Sequence, residues 1–141
     1  MPSFLIPLHP KLVHFPIALL TTALVFELLS RLFRKNELSR AAVLIYVFAA
    51  ILAPMVVYSG WWEQTRLHLH HPVLTQHRTF ALLTMWTALV SLPILWFLHR
   101  WSSRAFKNFF LVLLIILTIT VTITGYLGGK MVYEYSVGVN S

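Results

Sequence analysis

The 141-residue sequence contains no cysteine and no aspartate, and charged residues make up only 11% of it. Without thiols there is no disulfide, no thiolate-held iron–sulfur cluster and no covalently attached c-type haem, so any redox group must be held by histidine, methionine or tyrosine. The four carboxylates are all glutamates. Paired-carboxylate and Ser-His-Asp chemistry therefore lack candidates, and neither a phosphate loop nor a dinucleotide glycine motif occurs. An independent enzyme is not expected. Charge is also too sparse to coat a water-soluble globule: 58% of the residues are hydrophobic and mean hydropathy is +0.76. The solvent for most of this chain is the lipid bilayer. The formal charge of +7 does not indicate nucleic acid, because the basic residues stand beside apolar runs instead of lining one polar stripe.

What the chain has in abundance is long apolar runs. A hydrocarbon core of about 30 Å needs about 20 helical residues at a rise of about 1.5 Å each. Four stretches meet this, 12–33, 41–62, 77–98 and 109–127, and the short connections predict antiparallel neighbours. The fold class expected is an all-α four-helix transmembrane bundle in one domain, 1–141. The segment before the first run lacks the basic and small-residue features of a cleaved signal peptide. Arg31, Arg34, Lys35 and Arg40 lie between spans one and two, and Arg100, Arg104 and Lys107 between spans three and four; Lys11, Arg66, Arg78 and Lys130 lie on the other side. The positive-inside rule then puts the basic loops in the cytoplasm, and both termini with the loop from Glu63 to Gln76 in the periplasm.

Several features have structural explanations. Glu27, inside span one, has Arg31 one turn later as a partner near the membrane boundary. Tyr58, Trp61, Trp62, Trp96 and Trp101 fall near span ends, where amphipathic rings meet headgroups. His68, His70 and His71 have no thiol partner and only Glu63 as a nearby acid, so a solvated loop is expected rather than a metal site.

Two segments share the pattern H-x-x-x-A-L-L-T, His14 to Thr21 and His77 to Thr84, each preceded by a His-Pro pair, His9-Pro10 and His71-Pro72. Proline suits a first helical turn, so both pairs mark helix starts. The second helix of each unit also ends alike, as Ser59-Gly60-Trp61 and Thr124-Gly125-Tyr126. These matches suggest two tandem helical hairpins, related by a pseudo-two-fold axis along the membrane normal, with His14 and His77 at equal depth.

Intramembrane histidines normally face the bundle interior and mark function. Two that face each other can ligate one haem b axially, whereas zinc or copper usually takes more ligands. His14 and His77 are the candidate metal ligands. Four or five residues below the prolines puts them about 6 to 8 Å into the helices. Ala18 and Ala81 one turn further in, with Gly60 and Gly125 on the partner helices, would give a macrocycle clearance, and Arg78 could meet a propionate. Ala49, Ala53, Thr118, Thr122 and Gly129 extend the small-residue faces, which also serve close helix packing.

The segment Leu8-His9-Pro10-Lys11-Leu12-Val13-His14-Phe15-Pro16-Ile17-Ala18-Leu19 and the segment Gly125-Tyr126-Leu127-Gly128-Gly129-Lys130-Met131-Val132-Tyr133 resemble a bacterial family of predicted membrane proteins, domain of unknown function 2231. His77-Arg78 looks like that family's His-Arg pair at the start of the third helix. Where relatives often end in V-Y-x-H-G-V-G-V, this chain has Val132-Tyr133-Glu134-Tyr135-Ser136-Val137-Gly138-Val139, which removes a third histidine. The resemblance implies the fold and a place in the bacterial inner membrane, and leaves activity to the histidines. They point to a small b-type cytochrome-like electron-transfer subunit, part of a larger respiratory or photosynthetic complex, exchanging electrons with a periplasmic cytochrome or a quinone. The alternative is a cofactor-free accessory subunit of such a complex. A transporter half would need buried charge pairs and broken helices.

Overall fold

In hydrocarbon no water is available to the backbone, so a spanning segment must satisfy its own N–H and C=O groups, and a helix does so locally. A computed structural model describes residues 8–67, 71–101 and 103–135, and every element among them is helical. The elements are α1 (Leu8–Leu12), α2 (His14–Phe33), α3 (Asn36–Leu67), α4 (Pro72–Trp101) and α5 (Ser103–Tyr133). Four segments are long and apolar enough to cross a membrane: His9–Phe33, Asn36–Arg66, Pro72–His99 and Arg104–Tyr133.

The expected four spans are present, with longer helices. α3, α4 and α5 continue beyond the apolar windows because the helix persists through polar ends that hydropathy does not register. The first span, His9–Phe33, is interrupted in its hydrogen bonding at Val13, whose backbone stays right-handed helical, φ −65° and ψ −22°. Pro16 has no N–H to give the Leu12 carbonyl, and α1 stops at Leu12 before α2 begins at His14. At the other end of α2, Arg34 takes a left-handed conformation, φ 55°, and the Lys35 amide closes on the Ser30 carbonyl at 3.1 Å. Chain reversal into α3 is then immediate.

α2, α3, α4 and α5 form a closed ring in which each packs on two neighbours, while the diagonal pairs α2/α4 and α3/α5 make no close backbone approach. Small and large residues interlock inside: Ala23, Ala42, Ala49 and Ala50 against Tyr46, Phe110, Leu114 and Leu117. The Phe110 ring stacks on Phe106 and meets Tyr46 edge-on. Outward, Tyr58, Trp61, Trp62 and Trp96 are exposed, as belt residues should be. The β-branched run in α5 would disfavour a helix in water. Here its threonines turn their hydroxyls onto the preceding turn, as Thr122 does on the Thr118 carbonyl at 2.7 Å and Thr124 on that of Thr120 at 2.8 Å.

Because lipid tails are as apolar as leucine, polar contacts and close packing set how the helices meet. One clamp stands out. The Glu27 carboxylate, 1% exposed, accepts from Arg31 Nε at 3.0 Å and from Ser39 Oγ at 2.7 Å. Arg31 also donates to the Lys107 carbonyl and to Asn108 Oδ1, so α2, α3 and α5 are tied together at the end that carries the basic loops. Higher up, the Tyr46 hydroxyl donates to the Ala88 carbonyl at 2.7 Å and meets Ser91, joining α3 to α4. Thr84 Oγ1 donates to Thr120 Oγ1 at 2.9 Å, joining α4 to α5.

Removing one partner of a buried ion pair leaves a charge uncompensated, whereas a neutral interhelical hydrogen bond in a membrane is worth little. Arg31→Ala, which strands the buried Glu27 carboxylate, is therefore expected to cost about 3–5 kcal/mol and Tyr46→Phe about 0.6 kcal/mol. Unfolding of the two variants in detergent measures this, and equal losses would contradict the clamp.

Candidate histidine site

Away from the basic loops, the His9 and His77 rings meet edge-on, with centroids 6.2 Å apart and planes at 89°. His77 is buried at 9% exposure on the first turns of α4. Its Nδ1 lies 2.9 Å from the Thr124 carbonyl, which can only accept, so Nδ1 carries the hydrogen. His9, on α1, places Nδ1 2.9 Å from Ser59 Oγ. That hydroxyl donates its own proton to the Val56 carbonyl at 2.7 Å and must accept from the ring. In their neutral forms both imidazoles thus present an Nε2 lone pair, the tautomer that metal-bound histidines usually have when Nδ1–H is tied to an oxygen.

Each ring rests in a glycine notch. A Cβ added at Gly60 would meet His9 Cε1 at 2.6 Å, and one at Gly128 would meet His77 Cε1 at 3.4 Å. Val56, whose carbonyl accepts from the Ser59 hydroxyl at 2.7 Å, lies one turn before Gly60, as Thr124 lies one turn before Gly128. His77, Thr124 and Gly128 each follow His9, Val56 and Gly60 by 68 residues.

His14 is not brought to His77. It lies five residues after His9, roughly 140° around a helix of 3.6 residues per turn. His14 and Ala18 are exposed on the bundle's outer surface. Ala81 is half-buried, and Gly125 receives the Ile17 side chain, whose Cδ1 is 3.0 Å from where a Cβ would stand. Gly60 joins the site as the seat of His9. Arg78 stacks over Trp61, 5.8 Å from the ring centre. His71 accepts from the Val73 amide at 3.2 Å and lies 4.4 Å from the Tyr135 ring; His68 and His70 fall outside the described residues, as does the chain after Tyr135.

His9 was legible only as a mark of helix start. The signal that could have found it is the equal spacing of two histidines and two glycines. Among the described residues no group of three His, Cys, Asp or Glu side chains assembles that could hold a metal ion.

Gly60→Ala is expected to unseat the His9 ring at a cost of about 1–3 kcal/mol, the usual penalty for forcing atoms into a filled space. Gly129→Ala, with nothing within 4 Å of its Cβ, should be neutral or gain up to about 1 kcal/mol in helix propensity. Thermal unfolding in detergent compares them, and similar behaviour of the two would count against the seat.

No curated protein and no solved structure matches the chain. One family model does, over residues 5–141, and its description is a predicted membrane protein, DUF2231. With four spanning helices and a family match over nearly its whole length, the chain is a membrane protein that belongs to the DUF2231 family.

Proposed function

We propose that this protein is a small b-type haem subunit that passes single electrons within a larger membrane complex, and that His9 and His77 are its axial ligands. The observation that carries the proposal is the paired imidazoles with both Nδ1–H groups anchored and both Nε2 lone pairs unprotonated. Two metal–nitrogen bonds of about 2 Å, with the half-widths of the rings, come to a centroid separation on the order of 6 Å. The 6.2 Å separation agrees with this. Two imidazoles fall short of the set that zinc or copper usually takes. They suffice for an iron whose other four ligands come from a porphyrin.

The seven cations of the loop end support a cytoplasmic position for it. The histidine end then faces the periplasm of a bacterial inner membrane, within reach of a periplasmic cytochrome or a quinone. The second reading is a cofactor-free accessory subunit with structural histidines. The hydrogen bonds and glycine seats of both rings also suit that role, and Trp86, midway along α4 and 58% exposed, suits a covering subunit under either reading.

The visible spectrum of the purified protein separates the two. A low-spin haem band that is lost or turned high-spin in His9→Ala and in His77→Ala, yet kept in His14→Ala, is the expected result. A parent protein without a Soret band, or ligand variants that absorb like the parent, would rule out the haem reading in favour of the accessory one.

A further inference from the structure

Charge is divided unequally between the two ends of the bundle, and pairing sharpens the division. The loop end has seven cations against Glu27 and Glu37, a net +5; the histidine end has four against Glu63 and Glu134, a net +2. At the histidine end Lys130 Nζ pairs with Glu134 at 3.5 Å, and the Arg66 and Arg78 guanidinium groups lie over Trp62 and Trp61. At the loop end Glu27 is buried and taken up by Arg31 and Ser39. Arg34, Lys35, Arg40, Arg104 and Lys107 are exposed with Glu37 as the one exposed carboxylate near them. None of these five makes an ion pair among the described residues.

The fold draws part of this charge to one corner. Arg34 and Lys35 form the turn between α2 and α3, and Lys107 Nζ donates to Asn36 Oδ1 at 3.1 Å, holding the start of α5 against that turn. The corner lies where the spanning segments end, at Phe33, Asn36 and Arg104. On its membrane side Leu32 and Phe33 are 73% and 59% exposed. Cations at the edge of the hydrocarbon, directly above bare apolar side chains, match a ligand with a phosphate at one end and acyl chains at the other. Arginine grips phosphate oxygens with paired donors and lysine as a point charge. A nucleic acid or an acidic peptide would leave the apolar half of the corner uncovered.

We propose that this corner binds the headgroup phosphate of an anionic glycerophospholipid, with its acyl chains along Leu32 and Phe33. The site is independent of the histidine pair and of any haem there.

Native mass spectrometry of the detergent-purified protein with equimolar phosphatidylglycerol and phosphatidylcholine tests this. Phosphatidylglycerol should be retained about tenfold or more over phosphatidylcholine. Lys35 and Arg104 make no side-chain hydrogen bond among the described residues, so Lys35→Gln with Arg104→Gln should preserve the fold. This pair should weaken retention about thirtyfold, the equivalent of about 1 kcal/mol per cation at a membrane surface. Arg66→Gln with Lys130→Gln, at the other end, should leave it unchanged. Absence of a phosphatidylglycerol preference, or an equal loss in the histidine-end pair, overturns the proposal. So does displacement of the lipid by excess inorganic phosphate, since the site would then read a bare anion.

Discussion

Hydrocarbon offers no partner for a hydrogen bond, and this constraint runs through the whole structure. It forces the backbone into helices even where the sequence, as in the threonine and isoleucine run of α5, would resist them in water. It also governs the side chains, since an unpaired polar group within the bundle is costly. The buried polar residues of α4 show the response: His77, Thr84 and Ser91 recur every seven residues, on one face, and each bonds to a neighbouring helix. Interhelical specificity is concentrated in these few contacts, because the apolar surfaces alone distinguish poorly between a helix and a lipid tail.

The same constraint explains why the histidine site has its form. A buried neutral imidazole needs a fixed acceptor for its N–H, and a helix normally withholds its carbonyls by spending them on the next turn. Glycine removes the side chain that would keep a ring away from the helix surface, so the ring can reach back to an oxygen near the preceding turn. Gly60 with Ser59 and Val56, and Gly128 with Thr124, supply this seat twice. Each ring is held through Nδ1: His77 meets Gly128 with Cε1 and Nδ1, whereas His9 lies with Cε1, Nε2 and Nδ1 all against Gly60.

The sequence was informative wherever one residue type has one cost. Spans were legible because a charge in lipid is expensive and about 20 apolar residues are needed to cross. Tyr58, Trp61, Trp62 and Trp96 were legible because amphipathic rings have a preferred depth, and the Glu27–Arg31 pair was legible from its spacing of four. What sequence reasoning missed depends on helical phase. It chose His14 by its resemblance to the surroundings of His77. The structure sets His9 opposite His77, since five residues place the two candidates on different faces of the first span. The Ser39 contact with Glu27 and the Lys107 contact with Asn36 were illegible for a simpler reason, as they join residues distant in sequence whose meeting depends on the closed ring of helices.

At Val13 the backbone stays right-handed helical, φ −65° and ψ −22°. α1 packs on α3 as well as on α2, with His9 bonded to Ser59 and seated at Gly60. His77 is likewise held by α5, through Thr124 and Gly128. The two imidazoles thus hang from α3 and α5, a diagonal pair that makes no close backbone contact. Their separation is therefore governed by the width of the bundle across that diagonal. The large buried side chains of the ring, Tyr46 from α3 and Phe110, Leu114 and Leu117 from α5, fill the interior below. They keep α3 and α5 apart, and with them the two rings.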